Sequence, residues 1–206
     1  MCIRDRLSSA AKEYMKVYGV LVGKKPLIFT NNDSGYETAI EFKKNGVNPI
    51  ILDTRSNPSS DIITEAKNLN IEIKFSYVVV AAKGYKKVKS ADIAKISDDK
   101  KELFNIENIE CDCICVSGFW TPSIHLASQS GNKSKFNEKI DAFVPDKSKQ
   151  QENTIGSANG IFTLEETIKD AFDKGFDVSN KITEKNIKVS APTVVEKKST
   201  EHDKFW

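Results

Sequence analysis

Apolar positions recur along the first half of the chain with two periods that take turns. Short apolar runs at 26–30 (P-L-I-F-T), 48–52 (N-P-I-I-L, ending at Asp53) and 71–75 read as buried strands. Between the first two, Tyr36, Ala39, Ile40 and Lys43 share one side of a helix over 34–44, and Gly46 stands just past its end. Between the second and third, Ile62, Ile63, Ala66 and Leu69 share one side of a helix over 58–70. An earlier helix over 10–20 carries Ala11, Tyr14, Met15 and Tyr18, with Gly19 as its stop. Strands alternating with helices at this spacing predict parallel strands joined by crossover helices, which is an α/β fold.

The rhythm changes after residue 75. Residues 77–82 (Y-V-V-V-A-A) and 86–92 read as the arms of a hairpin turned near Gly84. A polar stretch at 97–101 leads to a strand over 109–116, which runs into the turn S-G-F-W-T-P. A short strand is expected around Phe143, and 154–160 (T-I-G-S-A-N-G) reads as a strand end opening a helix over about 164–172. From Gly175 onward the chain is polar and lysine-rich, and reads as a linker. The opening M-C-I-R-D-R looks like translated adapter sequence, so residues 1–9 are set aside and the natural chain is expected to continue upstream.

Charge and composition narrow the function classes. A net charge of +2 over 206 residues, with lysines dispersed, gives no electrostatic footprint for nucleic acid or an anionic membrane. No apolar run approaches the roughly 20 residues a membrane helix needs. The start lacks a signal-like apolar core, which makes the cytoplasm the expected location. Cys111, Cys113 and Cys115 alternate in C-D-C-I-C and would share one face of a strand. Zinc would need a fourth ligand and turn-forming spacing, so small buried core cysteines are expected, with neither metal nor disulfide scaffold. His125 and His202 stand alone, and no nucleophile, base or metal set emerges that would make any residue catalytic.

Two turns carry candidate chemistry. T-N-N-D-S-G-Y lies where a dinucleotide-binding glycine loop belongs, between a strand and a helix N-terminus. Asn31 and Asn32 stand in for glycines; asparagine tolerates a left-handed backbone, but it compromises close approach to a pyrophosphate. Asp33 or Ser34 could serve instead as a helix cap. Asp53 ends the next strand about 20 residues on, where an acid would bind a ribose hydroxyl, though aspartate is also a common turn residue. In T-I-G-S-A-N-G, Gly156, Ser157, Asn159 and Gly160 could present backbone amides to a phosphate or ribityl group, or simply allow a tight turn. The Phe119–Trp120 pair could line a pocket or anchor its loop.

Taken in order, T-N-N-D-S-G-Y, a strand ending in D-T-R, S-G-F-W-T-P, S-Q-S-G-N-K, A-F-V-P and G-S-A-N-G resemble the alpha subunit of heterotetrameric sarcosine oxidase over about Ala11 to Phe172. The resemblance implies a Rossmann-like region of the two-domain flavoprotein reductase type. Residues 26–108 would then be the second dinucleotide-type domain, residues 10–25 and 109–175 parts of the first, and 176–206 a linker toward a missing folate-binding domain. It also implies NAD in the alpha subunit, FMN at the interface with the beta subunit and FAD within the beta subunit. Beta, gamma and delta subunits would be the partners. The complex would demethylate sarcosine to glycine oxidatively, yielding peroxide and methylene-folate, and this fragment alone would be inactive. A related amine or proline dehydrogenase, or a free-standing NAD(H)-binding or degenerate structural module, is the alternative. Gly35 departs from the alanine more usual in that family.

Overall fold

The computed structural model describes residues 5–118, 120–183 and 190–194. These fall into two compact units, one ending at 118 and one beginning at 120.

The first unit is built on a five-stranded sheet. Strands β1 (Asp5–Leu7), β2 (Pro26–Thr30), β3 (Ile50–Asp53), β4 (Glu72–Phe75) and β8 (Cys113–Ser117) lie in the order β1-β8-β2-β3-β4, and all neighbours are parallel. Helices α1 (Ser8–Tyr18), α2 (Ser34–Lys44) and α3 (Asp61–Asn68) cover one face. An antiparallel sheet of β5 (Tyr77–Lys83), β6 (Ser90–Ile96) and β7 (Leu103–Glu110) covers the other. Strict alternation along the strands divides the core in two. Ile28, Ile51 and Cys115 point toward Ala11, Tyr36, Ala39 and Phe42 of the helices. Leu27, Leu52 and Ile114 point toward Ala91 and Ile93 of β6. A strand buried on both faces reads as an unbroken apolar run, which is why P-L-I-F-T and I-I-L-D carry no polar alternation.

The α/β class and the first three strands hold as read, with β3 beginning at Ile50 rather than residue 48. Gly19 ends α1 in the left-handed region, at φ 62°. Several expectations need correction. Residues 5–7, set aside as foreign, form the edge strand beside β8. Helix α1 is no outlier from another domain: the Thr38 hydroxyl donates to the Ser8 carbonyl, and Ala11 and Met15 enter the same core as α2. The strand expected at 109–116 is two strands broken at Cys111–Asp112. The Asp112 carboxylate causes the break by accepting the amides of Lys24 and Lys25, which turns the chain from β7 into β8. Because β8 lies between β1 and β2, the division expected after residue 108 cuts through this sheet. The bend also separates the cysteines. Cys113 and Cys115 face the helices with their sulfurs 3.7 Å apart, whereas Cys111 faces β6; all three are buried and free. The second hairpin arm begins at Ser90 rather than residue 86.

The second unit contains α4 (His125–Gln129), a hairpin of β9 (Ser134–Asn137) and β10 (Ala142–Pro145), a 3-10 turn over Gly156–Asn159 and helix α5 (Leu164–Thr183). The single strand expected around Phe143 is thus one arm of a hairpin, on which Phe136 and Phe143 meet edge to face at 5.3 Å. Helix α5 runs well past the expected stop at residue 172. Ile168, Phe172 and Phe176 continue the helical spacing through Gly175, and the two phenylalanine rings stack at 6.2 Å. The linker expected from 176 therefore begins no earlier than the end of α5; residues 184–189 and 195–206 lie outside the described residues, His202 among them. Among the described residues no helix is long and apolar enough to cross a membrane, and no group of three or more His, Cys, Asp or Glu side chains could hold a metal ion.

Candidate functional site

The ends of β2, β3 and β8 bring the first candidate turn together. Asn31, Asn32, Asp33 and Ser34 connect β2 to α2, Asp53 ends β3, and Ser117 and Gly118 end β8. The turn is tight because α2 starts against the end of its own strand. A Cβ on Gly35 would lie 2.6 Å from Thr30 Cβ and 2.7 Å from Thr30 Oγ1, so only glycine permits this approach. In a G-x-G-x-x-G turn the third glycine serves this close packing of helix on strand. Counting back from Gly35, the first and second glycine positions are Thr30 and Asn32, one step from the Asn31 and Asn32 pair expected from the sequence.

Asn32 organises the turn. Its Oδ1 accepts the Ser34 amide at 2.9 Å and the Ser34 hydroxyl at 2.6 Å, and its Nδ2 donates to the Gly118 carbonyl at 2.5 Å and to Asn31 Oδ1 at 2.9 Å. The Asn32 amide reaches Thr30 Oγ1 at 3.2 Å, and that hydroxyl donates back to the Asn32 carbonyl at 2.7 Å. The side chain that caps the first turn of α2 is therefore Asn32, not Asp33 or Ser34. Asp33 is used differently: its Oδ1 accepts Arg55 Nη1 at 2.8 Å.

Arg55 is the centre of the adjacent network, and sequence reasoning did not single it out. Its Nη2 and Nε bond Asp53 at 2.8 and 3.0 Å, and its backbone amide reaches Asp53 Oδ1 at 2.9 Å. The Tyr36 hydroxyl donates to Asp53 Oδ2 at 2.5 Å, and the guanidinium lies over the Tyr36 ring at 5.9 Å. Asp53 is wholly buried and Arg55 only 6% exposed. Burial, then the neighbouring Asp53 carboxylate, push the Tyr36 hydroxyl well above its ordinary range. Burial works against the Arg55 charge, but its hydrogen bonds to Asp53 and Asp33 outweigh this and raise it. The Tyr36 hydroxyl is thereby held protonated and the Arg55 guanidinium held charged. Its signal in the sequence was the Asp-x-Arg spacing at a strand end, with Tyr36 on the inward face of α2. The Thr54 hydroxyl beside it is buried and has no hydrogen-bond partner among the described residues.

The second candidate turn is not a strand end. Gly156, Ser157 and Asn159 form the 3-10 turn, and Gly160 closes it at φ 82°, where a Cβ would strike Ile140 at 2.6 Å. The Gly156 amide donates to the Asp170 carboxylate of α5 at 3.1 Å, so this amide is held by the protein itself. Ser157 is exposed and Asn159 half-buried. Trp120 is 58% exposed and does not anchor its loop in a core, while Phe119 lies outside the described residues.

Residues of known proteins align with this chain over most of its length. The sarcosine oxidase subunit alpha of Corynebacterium sp. (strain P-1) is 28% identical over 158 residues, covering 76% of this chain. That of Rhizobium meliloti (strain 1021) is 30% identical over 139 residues, covering 67% of it. The chain is similar to sarcosine oxidase alpha subunits. It spans only 16% and 13% of the length of these two relatives. No family model matches it. Among solved structures, the flavoprotein disulfide reductase RclA from Escherichia coli superimposes with a TM-score of 0.55 at 14% identity, over 79% of this chain and 36% of that one. The bacillithiol disulfide reductase Bdr from Staphylococcus aureus gives 0.52 at 16% identity, over 79% and 52%. At such identities the likeness is one of fold: α/β and Rossmann-like.

A dinucleotide, which this fold class implies, does not fit the β2–α2 turn as it stands. The Asn32 and Ser34 amides are engaged within the turn, and the oxygens of Asp53 are taken by Arg55 and Tyr36.

Proposed function

We propose that this sequence is part of the alpha subunit of a sarcosine-oxidase-type oxidoreductase, in which the first unit serves as scaffold. The observation that carries the proposal is the alignment with sarcosine oxidase alpha subunits over 76% of the chain. In this reading the polypeptide works in a cytoplasmic complex with beta, gamma and delta subunits. The complex oxidises sarcosine to glycine with formation of peroxide and, through a folate-binding region outside this sequence, methylene-folate. FAD belongs to the beta subunit and FMN to its interface with alpha. NAD or FMN held by the alpha subunit is bound by residues other than the β2–α2 turn, with Ser157 and Asn159 the side chains available near a flavin. In this reading the chain alone turns over no substrate, because the amine-oxidising site lies in the beta subunit.

The test is immunocapture, from cells expressing it, of the native polypeptide that contains this sequence, followed by assay of the captured complex. Sarcosine-dependent peroxide production, with formaldehyde replaced by methylene-folate when tetrahydrofolate is added, is the expected result. Oxidation of proline but not sarcosine reassigns the complex to an amine dehydrogenase of related build. Capture of the polypeptide without other subunits removes the proposal.

A further inference from the structure

A dinucleotide makes three demands on a strand–turn–helix unit. It needs small residues where the pyrophosphate approaches, free amides at the start of the helix, and an acid at the end of the second strand facing the ribose. Each place in this chain is already filled by a side chain of the chain itself.

At the first glycine position stands Thr30, whose side chain is wedged under Gly35 and bonded to both the carbonyl and the amide of Asn32. At the second stands Asn32, whose side-chain oxygen holds the Ser34 amide at 2.9 Å, the place a phosphate oxygen takes at a helix N-terminus. Its other end is tied to the Gly118 carbonyl across the crevice, so the side chain cannot swing aside without breaking bonds at both ends. At the ribose position Asp53 has no exposed surface, and both its oxygens accept hydrogen bonds from Arg55 or Tyr36. An arginine in this region can instead receive a 2′-phosphate. Arg55 is not disposed to do so, because its Nε, Nη1 and Nη2 are all directed at Asp53 and Asp33.

We infer that the crevice at the ends of β2, β3 and β8 is a self-filled nucleotide site. Asn32 replaces the phosphate and Arg55, clamped between Asp33 and Asp53, closes the ribose end, so neither NAD(H) nor NADP(H) enters. The unit keeps the dinucleotide-type fold as a rigid support and has given up its ligand. This rests on the fold and on these side chains, and stands whether or not the sarcosine-oxidase assignment does.

The experiment is hydrogen exchange by mass spectrometry on the full chain, with and without NADH, NADPH or ADP-ribose at millimolar concentration. Exchange in peptides covering 27–36 and 50–55 is expected to be unchanged with each ligand. Saturable protection confined to those two segments, weakened in Asp53→Asn, overturns the inference. Protection only elsewhere in the chain supports it, because it places a nucleotide outside the filled crevice. Immunocapture addresses assembly and exchange addresses the crevice, so either reading can fail alone.

Discussion

Removing the Asp53 carboxylate should unbalance the buried network more than any other single change in the first unit. In Asp53→Leu the side chain keeps its branched shape, with methyls in place of the two oxygens, but loses its charge. Arg55, 6% exposed, then retains only Asp33, while the Tyr36 hydroxyl and the Arg55 amide lose their acceptor. Breaking a buried ion pair from one side costs about 3–5 kcal/mol, and an orphaned buried hydroxyl about 1–3 kcal/mol. The two overlap through Asp53 and do not add in full, so a loss of about 4 kcal/mol is expected. Replacing the whole network is a different perturbation. Tyr36→Phe/Asp53→Leu/Arg55→Met removes the buried cation and the Tyr36 hydroxyl together with the carboxylate; of the donors bonded to Asp53 only the backbone amide of residue 55 then loses its acceptor, and the variant should lie within about 2 kcal/mol of the parent. Urea unfolding followed by circular dichroism measures both variants, and native-state exchange of β2 and β3 peptides assigns the loss to this unit. A single variant costing under about 1 kcal/mol, or a triple variant as unstable as the single one, would refute the reasoning.

Gly35→Ala should destabilise by about 1–3 kcal/mol through overlap with Thr30, and Thr30→Gly in the same chain should relieve the overlap; non-additive denaturation midpoints would show this. Thr54→Val removes a buried hydroxyl that has no partner and should leave stability unchanged or raise it by about 1 kcal/mol, read as a higher urea midpoint. The Cys111 thiol is pushed up to about 11 by burial first and then by Asp112, Cys113 and Glu110. Its folded value lies above the unfolded value of about 9, so its contribution is whole below pH 9 and is lost as pH rises toward 11. The loss amounts to about 1–3 kcal/mol, and Cys111→Ala should flatten the alkaline limb of a stability–pH curve; an unchanged limb would count against the assignment.

Much of the first unit was legible because period reports burial directly. A strand covered on both faces must be apolar throughout, and a helix on a sheet shows its inward side at i, i+3 and i+4. That logic located β2, α2, β3 and β4 to within about two residues, and the turn between β2 and α2 followed from their order. It failed where partners are remote in sequence. Nothing local marks 5–7 as a strand, since its partner, β8, lies more than 100 residues away. The break at Cys111–Asp112 depends on the amides of Lys24 and Lys25, which only folding brings to that carboxylate. The stretch from Gly175 onward reads as a linker because it is polar and lysine-rich, yet Phe172 stacks on Phe176 across that glycine.

The candidate site divides the same way. Residue type and spacing were enough to mark Asn31, Asn32, Asp33, Ser34 and Asp53 as one group, because a strand–turn–helix connection and the end of the next parallel strand must adjoin. What those side chains do there was decided by tertiary structure. Asn32 reaches a carbonyl on β8, and Asp53 meets Arg55 from its own strand end and Tyr36 from the helix above. A polar residue in a one-dimensional pattern has an unspent hydrogen-bonding capacity that any ligand could claim. Only the three-dimensional arrangement shows that neighbours from β3, α2 and β8 have claimed it already, because burial of a charge or amide demands a partner and the nearest ones were within the chain.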